Sequence, residues 1–239
     1  MDAMPLLKYL VEAGFGARRQ SVAAIKQGRI AVNGRVVQSY TMPVYAGLDN
    51  ISCDGRPIKF KPKEMLVFAV NKPLNVLSTT RDNRGRKTVI DLLPERYRKL
   101  GLYPAGRLDY DSTGLLIITN DGNLTYRLTH PRFEHEKEYL VTLNGKITPE
   151  EKERLEKGIL LEDGMTGRAV IREVSDKACT YSITVHEGRH RQVRRMFASI
   201  GYEVKALRRI RIGRLELGDL EEGAVRKLTR AEIGRLLKR

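Results

Sequence analysis

The chain has 239 residues, 41% of them hydrophobic and 31% charged, a balance that supports a buried core and excludes a disordered polyelectrolyte. Its 44 Lys and Arg against 29 Asp and Glu leave a net charge of +15. Its two cysteines, Cys53 and Cys179, lack any paired-cysteine spacing, which excludes a disulfide scaffold and a cysteine zinc module. No apolar run reaches the roughly 18 residues of a membrane span, and Met1 to Pro5 lead straight into a polar, periodic segment, so neither a membrane nor a secreted protein is expected and the cytoplasm is the expected compartment.

Leu6, Leu7, Leu10 and Val11 recur at helical spacing and stop at Gly14. A second short helix, capped by Ser21, is predicted to carry Val22 and Ile25 and to end at Gly28. Ile30 to Val32 then faces Val36 and Val37 across Asn33-Gly34, and Ile51 to Cys53 faces Pro57 and Ile58 across Asp54-Gly55, two hairpin signals. The charged, proline-bearing stretch from Lys59 to Glu64 reads as a linker, which predicts one domain over residues 1–62 and a second over 63–239.

The second domain opens on the apolar run Met65 to Val70. Further strands are predicted at Leu115 to Thr119, Tyr139 to Leu143, Ala169 to Val174 and Tyr181 to Val185. Thr148-Pro149-Glu150-Glu151 and Thr229-Arg230-Ala231-Glu232 are capping boxes, and Gln192 to Ile200, stopped by Gly201, reads as another helix. Strands divided mostly by turns, with a few helices between them, predict an α+β fold over a doubly wound parallel sheet.

The excess charge is concentrated. Residues 1–63 carry 10 basic and 4 acidic side chains, 81–87 carry 4 and 1, and 186–214 carry 9 and 2, while the remainder is close to neutral. Three basic segments on a folded chain point to a nucleic-acid footprint, because each Lys or Arg that neutralises a phosphate releases condensed counterions. None reads as the long basic amphipathic helix of a membrane-surface protein.

Phosphate-loop and dinucleotide fingerprints are absent: Gly14-Phe15-Gly16 lacks a third glycine and follows a helix. His186 and His190 have a metal-ligating interval only on a helix, and Gly188 between them argues against one. Gly106-Arg107-Leu108-Asp109-Tyr110-Asp111-Ser112-Thr113-Gly114, at the entrance of an apolar strand, sets a carboxylate beside an arginine between glycines. Asp109 there is a candidate nucleophile or base, with a locally paired loop aspartate as the plain alternative. Asp109 and Asp111 together would need a third metal ligand that the neighbourhood does not offer, so no metal is expected.

These residues carry a resemblance that covers nearly the whole chain. Gly106-Arg107-Leu108-Asp109, continuing through Thr113-Gly114-Leu115-Leu116 to Asn120-Asp121-Gly122, resembles the catalytic signature of the ribosomal-RNA pseudouridine synthases of the RsuA/RluB type. Asn71-Lys72-Pro73, Lys137-Glu138-Tyr139 and Glu187-Gly188-Arg189 through Gln192-Val193-Arg194-Arg195-Met196-Phe197 are similar to three further motifs of that family, in the family's order. The last is closer to RluB, which implies large-subunit RNA as substrate, with small-subunit RNA as runner-up. The first 62 residues resemble the small RNA-binding module called S-four, with an RNA-facing helix starting near Ala17.

The resemblance implies a mostly antiparallel catalytic sheet with flanking helices and a cofactor-free isomerisation. In it the ribose–uracil bond is cut, the base turns, and carbon 5 is joined to the sugar. Asp109 is then implied as the catalytic carboxylate, Arg194 as the cation paired with it, with Arg195 the neighbouring alternative, and Tyr139 as the ring that stacks on uracil. Arg107, Lys72, Arg189, Arg191 and Arg195 are implied as substrate or RNA contacts. On the small module Arg18, Arg19, Lys26, Arg29 and Arg35 are implied as phosphate contacts, over a core of Leu10, Val22, Ile25, Val32 and Val36. The implied partner is ribosomal RNA or a ribosome assembly intermediate, met by a monomer. A non-catalytic RNA-binding protein of the same fold, and a metal-dependent RNA-processing enzyme using Asp109 and Asp111, are the competing classes.

Overall fold

The computed structural model describes residues 3–60, 64–175 and 179–238. Its contacts divide the chain into two compact units, Met1–Glu64 and Met65–Arg239. The boundary expected at residues 62 and 63 lies outside the described residues. Among the described residues no helix is long and apolar enough to cross a membrane.

In the first unit helices α1 (Leu6–Glu12) and α2 (Arg18–Lys26) pack on a small antiparallel sheet of β1 (Ile30–Val32), β2 (Arg35–Val36), β3 (Ile51–Cys53) and β4 (Arg56–Pro57). The hairpin turns are those expected. Asn33 and Gly34, like Asp54 and Gly55, both take positive φ, the backbone that two-residue turns require. Two expectations fail. Helix α2 begins three residues before Ser21, whose buried side chain lies inside the helix, and no side chain caps it. Val36 is exposed, because the short strand β2 turns that residue to solvent, while Leu10, Ile25 and Val32 are buried as expected.

The second unit is built on β5 (Val67–Lys72), β6 (Thr113–Thr119), α3 (Gly122–Thr129), β7 (Lys137–Leu143), α4 (Pro149–Lys157), β8 (Leu160–Leu161), β9 (Gly164–Met165), β10 (Ala169–Ser175), β11 (Thr180–Val185), α5 (Gln192–Ala198), β12 (Val204–Ile212), β13 (Val225–Lys227) and α6 (Arg230–Leu236). The main sheet runs in the order β10-β11-β7-β12-β6-β5-β13, antiparallel throughout except for the central β12–β6 pair. The fold is α+β. Both predicted capping boxes are present, at Thr148 with Glu151 and Thr229 with Glu232. β5 is buried at every position and β6 at six of seven, as expected of central strands covered on both faces.

The parallel pair sets the geometry of everything that follows. It matches Arg208 with Thr113 and Arg209 with Gly114, so the loop that leads into β6 emerges beside β12. The approach is close at Gly114, where φ is +103° and an added Cβ would lie 2.2 Å from the Arg209 carbonyl oxygen. Gly114→Ala is therefore expected to destabilise the protein by more than about 2 kcal/mol, through both strain and weakened strand pairing. A lower denaturant midpoint at unchanged slope is the measurement.

Candidate active site

The loop at residues 108–112 is tied down from four sides. Ser112 N–H donates to the Asp109 carbonyl at 3.1 Å, closing a turn. Ser78 Oγ donates to the Leu108 carbonyl at 2.8 Å and accepts from the Leu108 N–H at 3.1 Å. Asn75 N–H donates to the Tyr110 carbonyl at 3.0 Å, and Arg194 Nη2 to the Asp111 carbonyl at 2.7 Å. The fourth anchor is Lys72, fully buried at the end of β5, whose Nζ donates to the Pro73 and Ser112 carbonyls, each at 2.8 Å. A backbone so constrained holds the Asp109 carboxylate in one place, which a reacting group needs.

Asp109 opens on a cavity of about 350 Å³, whose walls also carry Arg107, Tyr139, Arg191, Lys137 and Arg209, with Leu108, Val193 and Leu207 supplying apolar surface. That volume and mix of an apolar wall with a few converging polar groups suit a single nucleobase and its sugar. Tyr139 is buried on β7, and its hydroxyl accepts a hydrogen bond from Arg209 Nη1 at 3.4 Å.

Arginines from the start of α5 surround the carboxylates. Arg191 takes left-handed backbone at φ +50° immediately before the helix, makes no side-chain capping hydrogen bond, and places Nη1 3.8 Å from Asp109 Oδ2. Its two terminal nitrogens also fork onto the Asp111 carboxylate at 3.1 and 3.0 Å. Arg194, nearly a turn later and more deeply set, donates from Nη1 to the Val204 carbonyl at 2.9 Å and lies 3.4 Å from Asp111 Oδ2. The expected Arg194–Asp109 pair is therefore replaced by an Arg191–Asp109 contact and an Arg194–Asp111 contact. The reason is local: two carbonyls fix the Arg194 guanidinium, while Arg191 precedes the helix and is free to reach the turn. Burial pushes the Asp111 carboxyl up, but the Arg191 hydrogen bonds and the charge of Arg194 outweigh it and hold the group below the usual range.

Comparison with known proteins gives this arrangement its context. Residues 66–199 match the family model described as RNA pseudouridylate synthase, and residues 4–48 match the S4 domain. The chain belongs to the RNA pseudouridine synthase family. It is 42% identical over 238 residues to "Ribosomal large subunit pseudouridine synthase B" of Bacillus subtilis, covering 97% of this chain and 94% of that one. It is 40% identical over 237 residues to "Uncharacterized RNA pseudouridine synthase" of Aquifex aeolicus, with coverages of 97% and 92%. A crystal structure of pseudouridylate synthase superposes with a TM-score of 0.70 at 33% identity, over 98% of this chain and 99% of that one.

Several residues expected to touch RNA have other partners in the synthase. Lys72 has no exposed surface and both its partners are backbone carbonyls, so it anchors the loop rather than meeting a phosphate. Arg189 donates to the carbonyls of Asp163, Gly164 and Met165 and to Glu187, and Arg195 forks onto Asp163 at 2.9 Å on both oxygens. These two arginines pin the β8–β9 hairpin, and the Arg195 hydrogen bonds hold the Asp163 carboxyl down at about 2. Arg107 is exposed at the cavity. Arg18, Arg19, Lys26, Arg29 and Arg35 are all exposed on the S4 unit, with Arg29 paired to Asp54 at 2.9 Å.

Lys137, which the sequence offers only as part of the Lys137-Glu138-Tyr139 motif, and Arg209, to which it assigns no role, both line the cavity. The available signal for Arg209 is a charge two residues after Leu207, in phase with that buried position of β12.

Burial also sets the titration of the lysines. Desolvation pulls Lys72 down to about 8, against the opposing pull of Asp111, Asp109 and Glu222. The folded protein thus binds this proton less tightly than the unfolded chain does, and stability rises with pH between about 8 and the ordinary lysine value of 10.5. Lys72→Met should flatten that rise by on the order of 2 to 3 kcal/mol, measured by denaturant titration across the window.

Proposed function

We propose that this synthase isomerises a uridine of large-subunit ribosomal RNA, with Asp109 as the catalytic carboxylate and no cofactor, acting as a monomer in the cytoplasm. What carries the reading is Asp109 itself: a carboxylate fixed by an over-determined loop at a nucleobase-sized cavity, with an arginine at 3.8 Å and Tyr139 also lining the cavity. The B. subtilis relative, named for the large subunit and matched nearly end to end, supports the choice of substrate.

The reaction breaks the bond from C1′ to N1 and leaves its electron pair on uracil. After the base turns, C5 bonds to C1′, C5 gives up its proton, and N1 gains one, so the step balances without an oxidant. Asp109 meets the sugar or the base with the Arg191 guanidinium 3.8 Å from its Oδ2. Tyr139 supplies a face for the ring. A uridine in folded RNA must first leave its stack, at a cost of a few kcal/mol, and exposed Arg107 beside Asp109 is placed to fill the gap it leaves. Mapping pseudouridines in ribosomal RNA from cells with and without the gene tests the proposal. One large-subunit site should disappear with the gene, and a missing small-subunit site instead would reassign the substrate.

Arg18 and Arg19 stand exposed at the start of α2, so the double change to Glu should weaken RNA binding and lower the slope of log affinity against log salt by roughly 1 to 2 units, at about 0.7 to 0.9 for each phosphate no longer neutralised. Filter binding between low and moderate salt measures it.

A further inference from the structure

Arg209 is 3% exposed, yet it is charged and lines the cavity. Burying a guanidinium is costly unless its donors are met. Two of them are: Nε donates to the Leu115 carbonyl at 2.7 Å, and Nη1 to the Tyr139 hydroxyl at 3.4 Å. Nη2 is buried and has no hydrogen-bond partner among the described residues. The position is enforced by the sheet, since Arg209 sits between Tyr139 on β7 and Gly114 on β6 in one row across three strands. Its guanidinium lies 5.9 Å from the centre of the Tyr139 ring. A fixed, desolvated cation with one terminal nitrogen unpartnered, beside the ring on which the base is proposed to rest, is complementary to an anion formed there.

We propose that Arg209 is a catalytic residue that receives the detached uracil: Nη2 donates to a carbonyl oxygen of the base as the bond from C1′ to N1 breaks. The inference rests on the reading of Asp109 and the cavity as the synthase active site. The electron pair of the broken bond spreads from N1 onto O2 and O4, and the charge gathers where Nη2 lies unpartnered. When C5 bonds to C1′ and loses its proton, and N1 takes one up, the base is neutral again. Through Nη1 the same side chain occupies a lone pair of the Tyr139 hydroxyl and leaves that O–H to donate elsewhere. A lysine has three donors but all on one terminal nitrogen, so it lacks the separate Nε and Nη positions from which Arg209 meets the Leu115 carbonyl and Tyr139 and leaves Nη2 for the base.

The test is a coupling measurement on full-length protein. An RNA stem-loop carrying the uridine mapped above is made with tritium on C5 and with oxygen or sulfur at position 2 or position 4. Single-turnover tritium release and filter-binding affinity are then read for wild type, Arg209→Gln and Arg209→Lys. With the natural base, Arg209→Gln should lose about 100-fold or more in rate, while RNA affinity stays within about twofold. Sulfur is a poorer hydrogen-bond acceptor, and its intrinsic effect on the leaving base is common to all three proteins. The oxygen-to-sulfur rate ratio at one of the two positions should therefore be at least about fivefold larger in wild type than in the Gln variant. Should Arg209→Gln fail to fold, Arg209→Lys takes its place, since the altered reach changes the ratio too. Ratios that agree between wild type and variant at both positions would overturn the proposal, as would a variant that keeps the wild-type rate. Tritium release from no RNA even by wild type would remove the enzymatic reading beneath it.

Discussion

Asp109→Asn is expected to bring pseudouridine formation below detection while leaving RNA affinity unchanged or slightly higher. The substitution keeps size and removes charge. The turn at residues 109–112 is held by backbone atoms and by Ser78, Lys72 and Arg194, none of which bonds to the Asp109 side chain, so the loop should keep its shape. Both roles open to Asp109, nucleophile and base, vanish with the negative charge. With binding carried by exposed arginines and lysines, as proposed, removal of an anion beside them should strengthen rather than weaken it. Asp111→Asn is the internal comparison. Asp111 is the fork on which Arg191 rests and a contact of Arg194, so its removal should reduce turnover by roughly tenfold without abolishing it. A metal-site model predicts that both changes inactivate equally. Mass-spectrometric detection of pseudouridine beside filter binding on the same proteins distinguishes these outcomes, and near-wild-type activity in Asp109→Asn would sink the assignment.

What was legible in the sequence follows the range of the interaction involved. Hairpin turns at Asn33-Gly34 and Asp54-Gly55 and the capping boxes at Thr148 and Thr229 are set by neighbours within four residues, and all four formed as read. Ser21 misled because a good capping residue also satisfies itself inside a helix, here by reaching back to the Gly16 carbonyl at 3.5 Å. Lys72 misled for a longer-range reason. A lysine beside a proline reads as a surface cation, and only the meeting of β5 with a loop 40 residues later shows that it closes two backbone carbonyls. Arg189 and Arg195 look like phosphate contacts by density of charge, but the β8–β9 hairpin takes up their donors. The pairing of arginine with aspartate was likewise beyond spacing alone. Arg191 and Arg194 are three residues apart, and which of them meets Asp109 depends on the left-handed backbone at Arg191, a conformation that residue type does not announce.

The two arginines are expected to separate chemistry from binding. Arg194 has a side chain only 12% exposed, against 39% for Arg191. An interaction with a shielded cation is screened less by water and salt than one with an exposed cation. Arg194 also ties the catalytic turn to β12, since one end of its guanidinium holds the Asp111 carbonyl and the other the Val204 carbonyl. Arg194→Ala should therefore cost about 100-fold or more in single-turnover rate at saturating RNA, through a misplaced carboxylate, with at most a small change in affinity. Arg191→Ala removes the cation nearest to Asp109, but water can reach the space it leaves and partly replaces its charge. Its rate should fall by roughly tenfold, and its affinity should fall more than that of Arg194→Ala, because a guanidinium that lines the cavity with its side chain 39% exposed is available to a phosphate. Raising salt should narrow the difference in affinity and leave the difference in rate. If instead Arg191→Ala is the slower enzyme at saturating RNA, the 3.8 Å contact is the catalytic pair and Arg194 serves mainly to hold the turn.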